Sequence, residues 1–330
     1  MNITPPSPSA PAAPVHALHG QTMGTTWSVQ YAGPASIDPH ALHDAIQARL
    51  DQVVAQMSTW EADADIMRFN RCAAGEWFVL RDDLLQVLTA ALDIAARSDG
   101  AFDPTVSPLV AAWGFGAHAR GRGRPTPAAL VEARSRIGWQ HLRFDPAQRR
   151  VRQPGGVMLD LSAIAKGYGV DVVAALLRSR GIGAGLVEVG GELYGYGRKA
   201  DGQPWRVLVE SSPEEEADSE GLEPRVLLLD RVAVATSGDR WHAYALDGRR
   251  YSHTIDPRSG EPVTDAAAAV TVVAPEAMHA DAWATALTVM GAEKGHAFAT
   301  RHGIAARFLQ RTGEAMRETM TPAFAQYLAA

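Results

Sequence analysis

Cysteine is nearly absent from the 330-residue chain: Cys72 is the only one. No internal disulfide can form, and no cysteine-based metal site can be assembled. Cys72 follows Arg68-Phe69-Asn70-Arg71 and reads as structural. A basic excess is also missing. The formal net charge is −6, which argues against a nucleic-acid partner. No apolar run is long enough to form a transmembrane segment. The opening residues, MNITPPSPSAPAAPVHALHG, lack the charged start and apolar stretch of a secretory signal. Residues 1–18 are therefore expected to form a flexible Pro/Ala-rich leader. The chain as it stands reads as cytoplasmic, or as periplasmic if an export signal has been removed. The acidic run SSPEEEADSEGLEP, over 211–224, reads as a solvated surface loop or a docking loop for a basic partner.

What is present is an ordinary globular balance, 46% hydrophobic and 21% charged, able to bury a sizeable core. PHALHDAIQARLDQVVAQMST has apolar residues at helical spacing, namely Leu42, Ile46, Leu50, Val53, Val54 and Met57. RDDLLQVLTAALDIAARSDG predicts a second helix, with Asp82 or Asp83 as its cap and Gly100 after its end. Pro127 is expected in the first turn of a short helix. GGVMLDLS reads as a buried strand and YGVDVVAALLRSRGI as an amphipathic helix. Gly190-Gly191 and Asp247-Gly248 read as hairpin turns. Strands come as hairpins and helices in blocks, and no internal repeat is visible. The fold class is therefore α+β, a mixed α/β arrangement of antiparallel sheets with flanking helices. One domain is expected over 19–330, with room for two closely packed subdomains.

Four stretches could carry chemistry. In LDLSAIAKGYGVD, Lys166 sits where a strand gives way to a helix. Free amides at a helix start, with small residues that let a ligand approach, suit an anion, and a lysine adds a point charge for phosphate. The alternative is a plain strand-to-helix turn with a snorkelling lysine. The stretch is not a Walker A loop. In HADAWATALTVMG, Asp281 and Thr285 are four residues apart and share one helix face. Two hard oxygens one turn apart can grip Mg²⁺ or Ca²⁺; an aspartate near a helix start can equally be a cap. In RRYSHTIDPRSGEPV, His253 is either a general base or a structural strand histidine, on one face with Tyr251 and Ile255. The fourth is a set of aromatics: Trp27, Trp60, Phe102, Trp113 and Phe115. Trp60, just past a helix, could stack on a ring, whereas most of the others read as core.

Together and in order, these stretches resemble the ApbE family of flavin transferases, the FAD:protein FMN transferases. The resemblance runs from about Met23 to Gly291 through MGTTWSV, MSTWEADADIMRFN, AFDPTVSPLVAAWGFG, LDLSAIAKGYGVD, VEVGGEL, ATSGD, YSHTIDPRSGEPV and HADAWATALTVMG. Thr254 and Ser259 depart conservatively from the family pattern S-H-I-I-D-P-[RK]-T-G. The resemblance implies a T-fold-like ApbE architecture. It also implies a Mg²⁺-dependent reaction in which the pyrophosphate of FAD, the substrate, is split. FMN passes through a phosphoester bond to a threonine or serine of an acceptor flavoprotein, and AMP leaves. The rivals are an FAD pyrophosphatase giving FMN and AMP, and a non-catalytic FAD-binding module. By the same resemblance Asp160, Lys166, Met23, Ala101, Phe102, Asp103 and Thr254 contact FAD. The main-chain oxygen of Ala163 and the side chains of Asp281 and Thr285 are metal ligands. His253 helps to deprotonate the acceptor hydroxyl. Trp60 stands where the family commonly has tyrosine; it keeps the stacking surface and loses the hydroxyl.

Overall fold

The structure is a computed structural model that describes residues 15–33, 36–119, 121, 123–199, 201–209, 222, 225–238, 243–246, 249–263, 269–312 and 315–329. Apart from Leu222, the acidic run over 211–224 lies outside the described residues, as do the expected turn residues Asp247 and Gly248.

Eight strands form one antiparallel sheet whose spatial order is the chain order. They are β1 (Val15–Thr22), β2 (Thr25–Ala32), β3 (Ala184–Val189), β4 (Glu192–Tyr196), β5 (Val232–Gly238), β6 (Ala269–Ala274), β7 (Ala305–Thr312) and β8 (Ala315–Met320). Every pairing between neighbours is antiparallel. The expected α+β class with antiparallel sheets is what the molecule has. The principal helices are α1 (Pro39–Met57), α2 (Asp82–Arg97), α3 (Ser162–Ser179), α4 (Ala277–Met290) and α5 (Ala292–Arg301). Among the described residues no helix is long and apolar enough to cross a membrane.

Side-chain alternation along the strands divides the core. Ala233, Ala235, Val270, Val272 and Ala306 join the large cluster beneath α1 to α4. Their neighbours Val234, Val273 and Ala305 point the other way, into a second cluster with Trp205, Leu227, Leu229 and Phe324. The hairpin of Trp205–Val209 and Arg225–Leu229 contributes to that second cluster. A third, aromatic cluster gathers Leu109, Trp113, Tyr251 and Ile255.

Several local expectations change. The leader, expected to reach residue 18, gives way to strand at Val15, because Val15 to Leu18 pair with Val29 to Ala32 of β2. GGVMLDLS belongs to no strand: Gly155 and Gly156 form a bend, and Ser162 already opens a helix. The side-chain amide of Asn70 takes the place of a strand partner there: it donates to the Leu159 carbonyl at 3.0 Å and accepts from the Leu159 amide at 2.8 Å. Neither Asp82 nor Asp83 caps α2; the cap position is Arg81. Asp83 turns inward and accepts from both Arg49 guanidinium nitrogens at 2.6 and 2.7 Å, from Gln56 at 2.9 Å and from the Tyr168 hydroxyl at 2.7 Å. The predicted strand through His253 stops at Ser252 and resumes at Ile255. Ser252 Oγ accepts the Thr254 amide at 3.1 Å, a local bond that competes with the ladder.

Candidate active site

The site is built on the seam between α3 and α4. α3 opens at Ser162, earlier than the sequence suggests, so Lys166 lies one turn inside the helix and not at its joint. Asp160 Oδ1 accepts from the Ser162 amide at 2.9 Å and from its hydroxyl at 2.6 Å, which fixes the entry. The Asp160 amide donates to the Pro104 carbonyl at 2.8 Å. This bond brings the helix start against the segment that carries Ala101, Phe102 and Asp103. All three are buried. Asp103 is held there by the Thr105 amide (2.8 Å), the Thr105 hydroxyl (2.6 Å) and the Trp139 amide (3.3 Å). Burial nonetheless leaves its carboxyl above the ordinary aspartate value.

The first turn of α3 is not regular. Ala163 has φ −89° and ψ 15°. In an unbroken helix the Gly167 amide would serve the Ala163 carbonyl; here it donates to Asp281 Oδ2 of α4 at 3.1 Å. Gly167 permits this approach. A Cβ there would stand 2.3 Å from the Ala277 carbonyl oxygen. Asp281 is 5% exposed. Burial raises its carboxyl, against the opposing pull of Lys166 and the Gly167 amide. Thr285 follows one turn on and is half-buried.

Lys166 forms an ion pair with Glu192. Burial pushes the ammonium down, but Asp281, Glu192 and Glu188 outweigh it and hold the lysine above its usual value. Glu192 opens β4 after the two-residue turn Gly190-Gly191, where both φ are positive, at 58° and 99°. Gly190 is needed for space as well. A Cβ there would come within 2.8 Å of Thr25 Cγ2 and 3.2 Å of Lys166 Cδ. The β1–β2 turn reaches the same helix: Met23 has φ 51°, and its Cε lies 3.2 Å from where a Gly169 Cβ would be.

His253 and Thr254 arrive from elsewhere. The His253 ring meets Phe115 edge-on at 6.4 Å, within a stack in which Trp113 lies on Tyr251 at 5.5 Å. The Thr254 carbonyl accepts from the Val263 amide at 3.0 Å. Val263 lines an open cleft of about 880 Å³ together with Ser98, Arg258, Lys294 and Val289. Val289 lies two turns beyond Asp281 on α4; neither His253 nor the residues of the seam line this cleft. Trp60 is 76% exposed, on the loop after α1. The seam thus gathers Met23, Ala163, Lys166 and Asp281, with Asp160 and the 101–103 segment at its mouth.

The ApbE family matches residues 23–308. The chain belongs to the ApbE family. A FAD:protein FMN transferase of Klebsiella pneumoniae is 36% identical over 325 residues, covering 98% of this chain and 92% of the relative. One of Vibrio cholerae is 39% identical over 320 residues, covering 96% and 94%. The flavinyl transferase ApbE of Pseudomonas stutzeri, in its apo form, superposes with a TM-score of 0.88 at 40% identity, covering 96% of this chain and 98% of that one.

Sequence reasoning passed over two residues of the seam. Glu192 is 3% exposed, and its Oε2 has no hydrogen-bond partner among the described residues. The signal was an acid placed directly after Gly-Gly at the head of an apolar strand. Asp171 accepts from the Ala277 and Met278 amides at 2.8 and 2.9 Å, and so ties α3 to the first turn of α4. Among the described residues no cluster of three or more His, Cys, Asp or Glu side chains is arranged to hold a metal. A cation at the seam would need a mixed set. One buried carboxylate, one hydroxyl and the Ala163 backbone carbonyl, at the irregular first turn of α3, are hard oxygen donors of the kind magnesium takes.

Proposed function

We propose that the chain is a Mg²⁺-dependent FAD:protein FMN transferase. Membership of the ApbE family supports the activity. The observation that carries the site is the buried Asp281 carboxyl, which accepts the Gly167 amide on Oδ2 and lies near enough to Lys166 for the two charges to act on each other. Asp281, Thr285 and the Ala163 carbonyl would hold Mg²⁺, which when bound supplies charge neutralisation at the diphosphate. Lys166 has three donors and gives the second positive charge on that diphosphate. Asp160, Met23, Thr254 and the 101–103 segment would orient the dinucleotide, and the exposed Trp60 would stack on the flavin. His253 takes the proton of the acceptor threonine or serine. The hydroxyl oxygen forms a bond to the FMN-side phosphorus, and the bond from that phosphorus to the bridging oxygen breaks. AMP leaves with the bridging oxygen and its electron pair.

The test is to incubate the protein with FAD and Mg²⁺, with and without EDTA, and to follow AMP and FMN. A parallel reaction contains a flavoprotein acceptor with a target threonine, whose mass is read. Mg²⁺-dependent AMP with an FMN-sized mass gain is the expected result. AMP and free FMN with no mass gain would make the enzyme a pyrophosphatase, with water in place of the hydroxyl. FAD binding without AMP would make it a binding module. His253→Ala is expected to slow transfer by about 10²–10⁴-fold while FAD affinity holds. An equal loss of affinity would make His253 a positioning residue.

A further inference from the structure

Lys166 lies between two buried carboxylates. It is paired with Glu192, and the charge of Asp281 also raises its pKa. Lys166 is the cation of the seam and faces two acids whose carboxyls burial raises. If Lys166 turned to Asp281 instead, it would occupy the oxygen a divalent cation needs, and its own charge would repel that cation. Instead the ammonium is held by Glu192. The Gly190-Gly191 turn sets it across the lysine stem, and Gly190 has no side chain to push the stem aside. Glu192 Oε1 takes the ammonium, whereas Oε2 is buried and unpartnered among the described residues.

We propose that Glu192 is a positioning residue: by engaging the Lys166 ammonium it keeps that cation off Asp281 and leaves the Asp281 carboxylate open to a divalent metal. Two of the three lysine donors remain to meet phosphate. This inference rests on the metal reading of Asp281 given above.

The experiment titrates Mg²⁺ calorimetrically into the full chain without FAD, so the readout is metal affinity and not turnover. Glu192→Gln is expected to weaken Mg²⁺ by about 10–100-fold, the range for losing a partner that orients a ligand. Removing the lysine as well, in Glu192→Gln with Lys166→Met, should restore affinity to near the starting value. Glu192→Asp, which keeps the charge one methylene back, should fall between. Unchanged affinity in Glu192→Gln overturns the proposal. So does affinity that stays low in the double variant, because Glu192 would then be a ligand itself or a prop of the fold. Asp281→Asn separates the two readings. If it binds Mg²⁺ as the parent does, the metal reading of Asp281 fails. If it alone loses Mg²⁺, that reading stands and only the role of Glu192 fails.

Discussion

Asp171 and Asp281 join the same two helices from opposite sides. Asp171, on α3, accepts from the first two amides of α4 with both of its oxygens. Asp281, on α4, accepts from the Gly167 amide of α3 with Oδ2 alone. One carboxylate is fully used in holding the helices together. The other is buried and retains acceptor capacity, which a folded protein seldom leaves without purpose. The same type of residue, at two ends of one seam, serves structure in one case and is proposed to hold a metal in the other.

The comparison is broken most directly by neutralising each end in turn. Asp281→Asn keeps a carbonyl oxygen for the Gly167 amide, so the fold should hold while the charge is lost. Mg²⁺-dependent AMP release should fall by about 10²–10³-fold, the scale of a lost electrostatic group in an active site. Asp171→Asn should keep AMP release within about tenfold of the parent, since its charge faces no reacting group. Comparable losses in the two variants, measured side by side, would erase the distinction between the two ends.

Gly167→Ala tests both ends at once. The new Cβ would sit 2.3 Å from the Ala277 carbonyl oxygen and 2.7 Å from Met278 Cα, all of it backbone that no rotamer change can move. The helices must part, lengthening the bonds of both aspartates. A stability loss of about 1–3 kcal/mol is expected from the overpacking, together with loss of AMP release. Denaturation midpoints and activity check it. A variant as stable and active as the parent would show that the helices do not meet this closely.

The sequence carried the small-residue motif around Lys166 and the one-face pairing of Asp281 with Thr285, because both are local. The antiparallel sheet was legible for the same reason: alternation and two-residue glycine turns act between neighbours in sequence. What stayed hidden depends on distant partners. The segment before α3 has a strand-like pattern but is completed by Asn70, 89 residues from Leu159. Asp83 looks like a helix cap until Arg49 and Tyr168 draw it inward. Asp171 finds its amides 106 and 107 residues away. Composition and spacing hold no trace of such pairings, and the bonds of Asp171 and the ion pair of Glu192 follow from them alone.

The smallest effect expected is one of pH. Burial, the largest influence, pushes Asp171 from 3.8 up to about 7, against the two amides of α4; Glu276 adds to the rise and Arg178 opposes it. In the unfolded chain Asp171 ionises near 3.8. Between these values the folded protein keeps a proton that the unfolded chain has released. The stability this residue contributes is therefore fully present below the lower value and is lost as pH rises through about 7. Asp171→Asn has no such proton to hold. Glu192 titrates in both proteins, so its contribution drops out of the difference. Urea midpoints of the parent should thus decline relative to the variant as pH climbs from about 4 to about 7, and run parallel above that. A gap of constant size over the whole range would mean that Asp171 is ionised throughout, and that a full negative charge binds the first turn of α4.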